Sequence, residues 1–563
     1  MRNISVLTLL SVAESVFGLS GRGPFLERIN ATHWVFGNDI WNVTQGPVYA
    51  TNLQYQGSDA VRSATGHYAG VDGESNLRYT SAAIVSDSST HIDISFSSTS
   101  GDLHWVMFPE LAGAYQYFVN KALPDLSIFR TLWRLDPDRF TKGYTTSKNE
   151  DLPEWALYKN APEVQDETFL INGRYISKYD FANYVRERDF VGVYGNRSGS
   201  WYIHPSYDYF SGDHLSQTLT VHRESATGDA VQLNVVQDTS HFRVGAKTSQ
   251  SAGKIWGPWL WYLNDGSVAD VQKQAAKERA SWPYSWLNDT AYQSRGSLAG
   301  KLTLSNGRPA SGAAVFLGDA NTSIRPLVQG SNYYYTTYAD SDGNFSFKSV
   351  RSGDYGLYAW SNGKALADVY TNYTTSGIVI APNRATDLGV LTWPIPKGRQ
   401  QIFQIGDFDK KATGFQNGGV PNQHGSTEKG PANLTFTVGK SRTSDWYYAS
   451  SKLGTWNIVF ETTRPSPNAR ALLSVSLAGY SQSNVLTILL NGNNTIATLD
   501  KNSIASDPAL YRSGTTSGEW RFFQYEIDGT ALMGGKNVLS FRVDRYTQWR
   551  GFLWDSIILE WIL

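Results

Sequence analysis

The 563-residue chain contains no cysteine. That absence excludes disulfides, cysteine-based zinc sites and thiol nucleophiles together. Without cross-links the chain must be held by buried cores, and its length allows about three or four domains, each able to build one. An excess of one charge is also lacking: 49 Lys and Arg face 50 Asp and Glu, for a net charge of −1. No long-range field therefore favours nucleic acid, and attraction to a charged substrate must come from local residues. Beyond the N-terminus no stretch reaches the ~20 apolar residues of a membrane span. The histidines, His33, His67, His91, His104, His204, His214, His222, His241 and His424, are scattered and form no His-Glu-x-x-His pattern, so a zinc enzyme is not expected. There is no Gly-x-Ser-x-Gly elbow and no phosphate-cradling glycine loop. A glycosidase-type carboxylate pair stays open, because the separation of two acids is a three-dimensional property.

What is present begins with Arg2 and the apolar run Ile4 to Ala13, followed by small residues, the pattern of a secretory signal peptide over residues 1–20. Sequons at Asn30, Asn42, Asn196, Asn288 and Asn372 agree with a secreted, extracellular glycoprotein. Aromatic residues are abundant, with 19 Trp and 32 Tyr. Exposed rings stack on sugars, but cores use them as well, so composition leans toward carbohydrate without settling it.

Short alternating runs such as His91–Phe96 and Thr218–His222, punctuated by Gly, Ser, Asn and Asp, predict a many-stranded sandwich. One helix is predicted over Val268–Ser281, stopped by Trp282-Pro283. From about Arg295 a second run of short strands with Asp-Gly and Gly-Asp turns predicts a small sandwich. Its Asp340, Asp342 and Gly343 resemble the start of a calcium loop but lack the distal Glu, so a hairpin turn is preferred. Pro394-Ile395-Pro396 marks a linker, and the remainder reads as a jelly roll of the carbohydrate-binding kind.

One strand stands out. Leu126–Leu135 alternates apolar and polar residues, which puts Arg130 and Arg134 on one face. Two guanidiniums there suit bidentate binding of a carboxylate. The plainer alternative is a surface pair held by Asp136 or Asp138.

Several segments, taken in order, resemble the rhamnogalacturonan lyases of polysaccharide lyase family 4. They are Tyr175–Phe181, Gln237–His241, Trp256–Asn264, Ser281–Ser285, Ser444–Tyr448, Trp456 and Gly551–Asp555. The resemblance implies a mainly β fold in three parts: a β-sandwich catalytic domain over 21–292, a fibronectin-III-like domain over 293–392 and a jelly-roll carbohydrate-binding-like domain over 393–563. It places the family's catalytic lysine on Lys178, its histidine on His241 and its carboxylate-binding arginine on Arg130, with Arg134 as companion. His214 and His222 compete for the histidine role, with His241 preferred. The family's two tyrosines upstream of the histidine fall on Val236 and Asn234, which leaves Tyr179 as a local substitute for substrate binding.

The implied reaction removes the C5 proton of galacturonate and expels the O4-linked rhamnose. Arg130 would stabilise the charge developing on the carboxylate, an effect worth roughly 3–4 kcal/mol in comparable sites. Lys178 would act as base and His241 as acid, with the roles exchangeable. A lysine base must be neutral, whereas free lysine titrates near about 10.4; nearby guanidiniums and burial both favour the neutral form. No step requires a cofactor or metal, although calcium could bind structurally. The expected partner is the polysaccharide rhamnogalacturonan I, with no nucleic acid or membrane and a monomeric chain. The alternatives are a non-catalytic wall-binding protein and a carboxylate-pair hydrolase.

Overall fold

A computed structural model describes residues 23–73, 75–238, 241–242, 245, 247–463, 468–481, 483–504, 507–512 and 514–563. The expected signal peptide lies outside them. No helix among the described residues is long and apolar enough to cross a membrane.

The first part of the chain forms two facing, antiparallel sheets of ten and nine strands, as its alternating runs predict. Their inner faces interlock through indoles. Trp133 of one sheet stacks on Trp261 of the other, with ring centres 4.7 Å apart, and Trp41 meets Trp261 edge-on at 5.1 Å. Ten tryptophans of the chain are among its largest fully buried side chains, including Trp41, Trp105, Trp133 and Trp261. This answers the compositional question: most of the tryptophan builds cores in a chain that has no cross-links, and is not displayed for sugars.

Four strands of the ten-stranded sheet position the site: β1 (Gly66–Val71), β2 (Ile128–Leu135), β3 (Val221–Arg223) and β4 (Ala230–Asp238). Their order is β1-β2-β4-β3. Ile, Phe, Thr, Leu and Trp make β2 a good strand. Phe129, Trp133 and Leu135 face the sandwich core, while Ile128 and Leu132 join Tyr68, Val231, Leu233 and Val235 in a second cluster on the outer face. The Thr218–His222 run is not continuous. It breaks at Thr220, whose hydroxyl donates to the Phe181 carbonyl at 2.7 Å.

Helix α1 (Val268–Ser281) covers the predicted residues. Ser267 caps its N-terminus by accepting from the Asp270 N–H, and Val271 and Ala275 pack on Trp201 and Leu260.

Strands from Arg295 to Trp393 build two small sheets, and strands from Arg399 to Ile562 build a pair of five-stranded sheets. The Asp340 carboxylate accepts from the N–H groups of Asp342 and Asn344 at 2.9 Å each, the hairpin turn that the sequence favours.

The first and second parts meet at Asp208. Its Oδ2 takes Arg295 Nη1 and Arg351 Nε, each at 3.1 Å, and all three side chains are buried. Burial pushes the Asp208 carboxyl up, but the guanidiniums of Arg351 and Arg295 outweigh it and hold it below the usual carboxylate range. The Asp208→Asn variant should lose about 3–5 kcal/mol, because two buried cations are left without their anion; a lowered melting temperature of the full chain checks this. With the folded value depressed, this contribution is present above the unfolded carboxylate pKa of about 3.9 and is lost as pH falls through the lower folded value.

Candidate active site

Lys178 opens a short 3-10 turn, Lys178–Phe181. The sequence Ser177-Lys178-Tyr179-Asp180 is a capping box: Ser177 Oγ accepts from the Tyr179 N–H at 3.3 Å, and Asp180 Oδ2 accepts from the Ser177 N–H at 3.1 Å. The turn therefore fixes the lysine backbone from both sides. The Lys178 amine is ion-paired with Glu167, and its nitrogen stands 5.2 Å from the centre of the Tyr179 ring.

Lys178 lines a cleft of about 970 Å³. His222 and Arg223 of β3 line the same cleft, and so does a stretch of the third part of the chain from Asn417 to Lys429. That far wall is tied down directly: the His424 N–H donates to Asp180 Oδ1 at 3.2 Å, and Lys148 Nζ donates to the Asn422 carbonyl at 3.1 Å.

Register explains why His222 arrives here. On the outer face of the sheet Arg134 lies opposite Val231, and Val231 lies opposite His222. Glu224 then sits between the two: its Oε2 is 3.1 Å from Arg134 Nη2 and 3.8 Å from His222 Nε2. Burial lowers the His222 pKa and outweighs the Glu224 carboxylate. Glu224 is itself lowered to about 2, chiefly by His222 and, against burial, by Arg134 and Lys178. Both directions fit a neutral imidazole facing an ionised carboxylate. With Nε2–H toward Glu224, Nδ1 keeps its lone pair, and among the described residues the buried Nδ1 has no hydrogen-bond partner.

The other predicted residues are distributed as follows. Arg130 and Arg134 do share a face of β2, with Arg130 opposite Gly70 and Arg134 opposite Gly66. Arg134 is held by Glu224, by Asp229 at 3.8 Å and by the Tyr68 hydroxyl at 3.2 Å, and not by Asp136 or Asp138. Asp136 pairs with Arg62 instead. Arg130 lies over Gly70, and among the described residues its buried Nε has no hydrogen-bond partner.

His241 is not among the described residues that line the Lys178 cleft. Its Nδ1 is 3.1 Å from Asp238 Oδ2, its N–H donates to Asp238 Oδ1 at 3.0 Å, and its carbonyl is held by Arg512. Tyr179 is buried and donates its hydroxyl to Asp166 at 2.9 Å, so it does not face the cleft. His214 is a packing residue between Tyr338 and Trp360, with Nε2 2.9 Å from the Thr337 carbonyl. Positions 234 and 236 face inward: Asn234 accepts from His204 Nε2 at 3.0 Å in the His tautomer protonated there, and Val236 is in the sandwich core. Tyrosines there would be buried, so their absence removes no cleft contact.

Glu167, Glu224 and the 417–429 wall escaped the sequence reading. Glu224 carried a usable signal, since residues two apart on a strand share a face. The wall carried none, because it comes from a loop some two hundred residues away in the chain.

Residues 401–559 match the profile described as polysaccharide lyase family 4, domain III, and residues 305–388 match that of domain II. A rhamnogalacturonate lyase of Dickeya dadantii is 32% identical over 462 residues, which is 78% of this chain and 76% of the relative. Rhamnogalacturonate lyase B of Emericella nidulans is 24% identical over 56% of this chain and 50% of its own length. A probable rhamnogalacturonate lyase B of Aspergillus fumigatus is 24% identical over 71% of this chain and 60% of its own.

Proposed function

Because the chain belongs to polysaccharide lyase family 4, we propose that this polysaccharide lyase cleaves the rhamnose-(1→4)-galacturonate bond of rhamnogalacturonan I by β-elimination. The observation that carries the reading is the meeting of Lys178 and His222 in one cleft. In the reaction the C5–H bond of galacturonate breaks, its electron pair forms the C4=C5 double bond, and the C4–O4 bond releases rhamnose, whose oxygen takes a proton. Two proton transfers need two groups, and both must reach the same sugar ring. His222 lines the cleft, and burial favours its neutral form, so it is suited to accept. Lys178, ion-paired with Glu167, is suited to donate to the leaving oxygen. Arg130 is not among the described residues lining the cleft; it lies on the same sheet face as Arg134, and the resemblance to the family is what assigns it the uronate carboxylate.

Mass spectrometry of a rhamnogalacturonan digest tests the reaction. A lyase gives an unsaturated galacturonate end, a hydrolase gives fragments heavier by one water, and a binding protein gives no fragments. The pH profile tests the role of His222. Protonation removes its lone pair, and burial places that event below the ordinary histidine pKa. Measured as kcat/KM, activity should hold from neutral pH down through about 6.5 and fall only in more acid solution.

Export to the extracellular space and a role in pectin degradation complete the proposal. The leader over residues 1–20 and the sequons support it.

A further inference from the structure

The third part of the chain does more than close the cleft. A three-stranded sheet, Glu163–Gln165, Thr168–Ile171 and Arg174–Ser177, carries Glu167 in its first turn and delivers the backbone into Lys178. Two residues beside that turn are gripped from residues 511 and 512. The Gln165 amide donates to the Tyr511 carbonyl at 2.9 Å. The Asp166 carboxylate receives Arg512 Nε at 3.2 Å and Nη2 at 3.1 Å. The remaining Arg512 nitrogen, Nη1, donates to the His241 carbonyl at 2.8 Å, and the guanidinium carbon lies 4.8 Å from the centre of the Tyr179 ring. The Tyr179 hydroxyl completes the circuit by donating to Asp166.

One guanidinium therefore touches the residue before Glu167 and the residue after Lys178, the two partners of the ion pair whose lysine lines the cleft. We propose that Arg512 is a positioning residue of the lyase reaction. From the third part of the chain it fixes the Asp166–Glu167 turn and the Tyr179 ring together, and so sets where the Lys178 amine stands. The inference rests on the reading of Lys178 as a proton-transfer group. Arginine suits the task because its planar fork serves the Asp166 carboxylate and the His241 carbonyl at once while its face lies on an aromatic ring; a lysine offers a single point charge.

Full-length Arg512→Ala, Arg512→Lys, Lys178→Ala and the double variant Arg512→Ala/Lys178→Ala are assayed on rhamnogalacturonan, with kcat and KM resolved and thermal melting recorded. Misplacing a reacting group by about 1 Å costs on the order of 100-fold. Arg512→Ala should lose about that much in kcat with KM changed less than about twofold. Arg512→Lys should recover roughly tenfold of it through Asp166 alone. The double variant should be no worse than Lys178→Ala. Wild-type kcat in Arg512→Ala, with Lys178→Ala inactive, overturns the positioning role and leaves the lysine reading intact. So does a loss of the same size in Arg512→Ala and Arg512→Lys that follows their melting temperatures. Activity in Lys178→Ala overturns the lysine reading itself, and the positioning role with it.

Discussion

Lys178→Ala should abolish the ultraviolet absorbance of unsaturated product, a fall of about 10²–10⁴ in kcat, without unfolding the protein. The size follows from removing one of two proton-transfer groups. Survival of the fold follows from where the lysine sits. Its backbone is held by the Ser177–Asp180 capping box, which the substitution leaves in place. Its only ion-pair partner among the described residues, Glu167, has a side chain 33% exposed, so water can replace the amine at small cost. Lys178→Arg separates chemistry from electrostatics. Arginine keeps the positive charge beside Glu167 but does not give up a proton at working pH. Loss in both variants identifies proton transfer, while activity retained in Lys178→Arg would reduce the lysine to a fixed charge. Unchanged melting curves exclude unfolding as the cause.

His222→Ala should cost a similar 10²–10⁴ in kcat, whereas His241→Ala should lose less than about tenfold. The contrast is geometric. His222 lines the Lys178 cleft, and His241 faces Asp238. Removing the His241 ring takes one partner from a buried carboxylate that also accepts from the Thr218 hydroxyl at 3.3 Å, so its effect should appear in stability, at about 1–3 kcal/mol. Steady-state kinetics beside thermal melts resolve the two cases. Full activity in His222→Ala with an inactive His241→Ala would return the histidine role to residue 241.

The architecture was largely legible because it rests on local pattern. Alternation along Leu126–Leu135, the helix formers of Val268–Ser281 and the Asp-Gly turns each specify their element from neighbouring residues alone. Pattern also placed Arg130 and Arg134 on one face, since that needs only the two-residue period of a strand. Pairing across space was not legible. Glu224 neutralises Arg134 because β4 lies between β2 and β3, and nothing local shows that order. His241 comes three residues after Asp238, the last residue of β4, and reads as part of a histidine strand. What separates it from His222 is the carboxylate each ring meets, Asp238 for His241 and Glu224 for His222, a pairing that the local sequence does not show. Tyr179 is instructive for the opposite reason. Sequence adjacency to Lys178 made it a candidate contact, yet in a 3-10 turn adjacent side chains diverge, and its ring turns inward to Arg512 and Asp166.

The wall from Asn417 to Lys429 and the grip of Tyr511 and Arg512 have a consequence for how such an enzyme can diversify. Sugar-binding modules on flexible tethers can be exchanged, duplicated or deleted while the attached enzyme keeps its turnover. Here the C-terminal jelly roll is built into the Lys178 cleft. Grafting another module in its place would remove one side of the cleft and free the turn that holds Glu167. Changes in substrate range are thus confined to point substitutions and loop edits, and a chain truncated before residue 417 should be regarded as a different protein, not as a catalytic core.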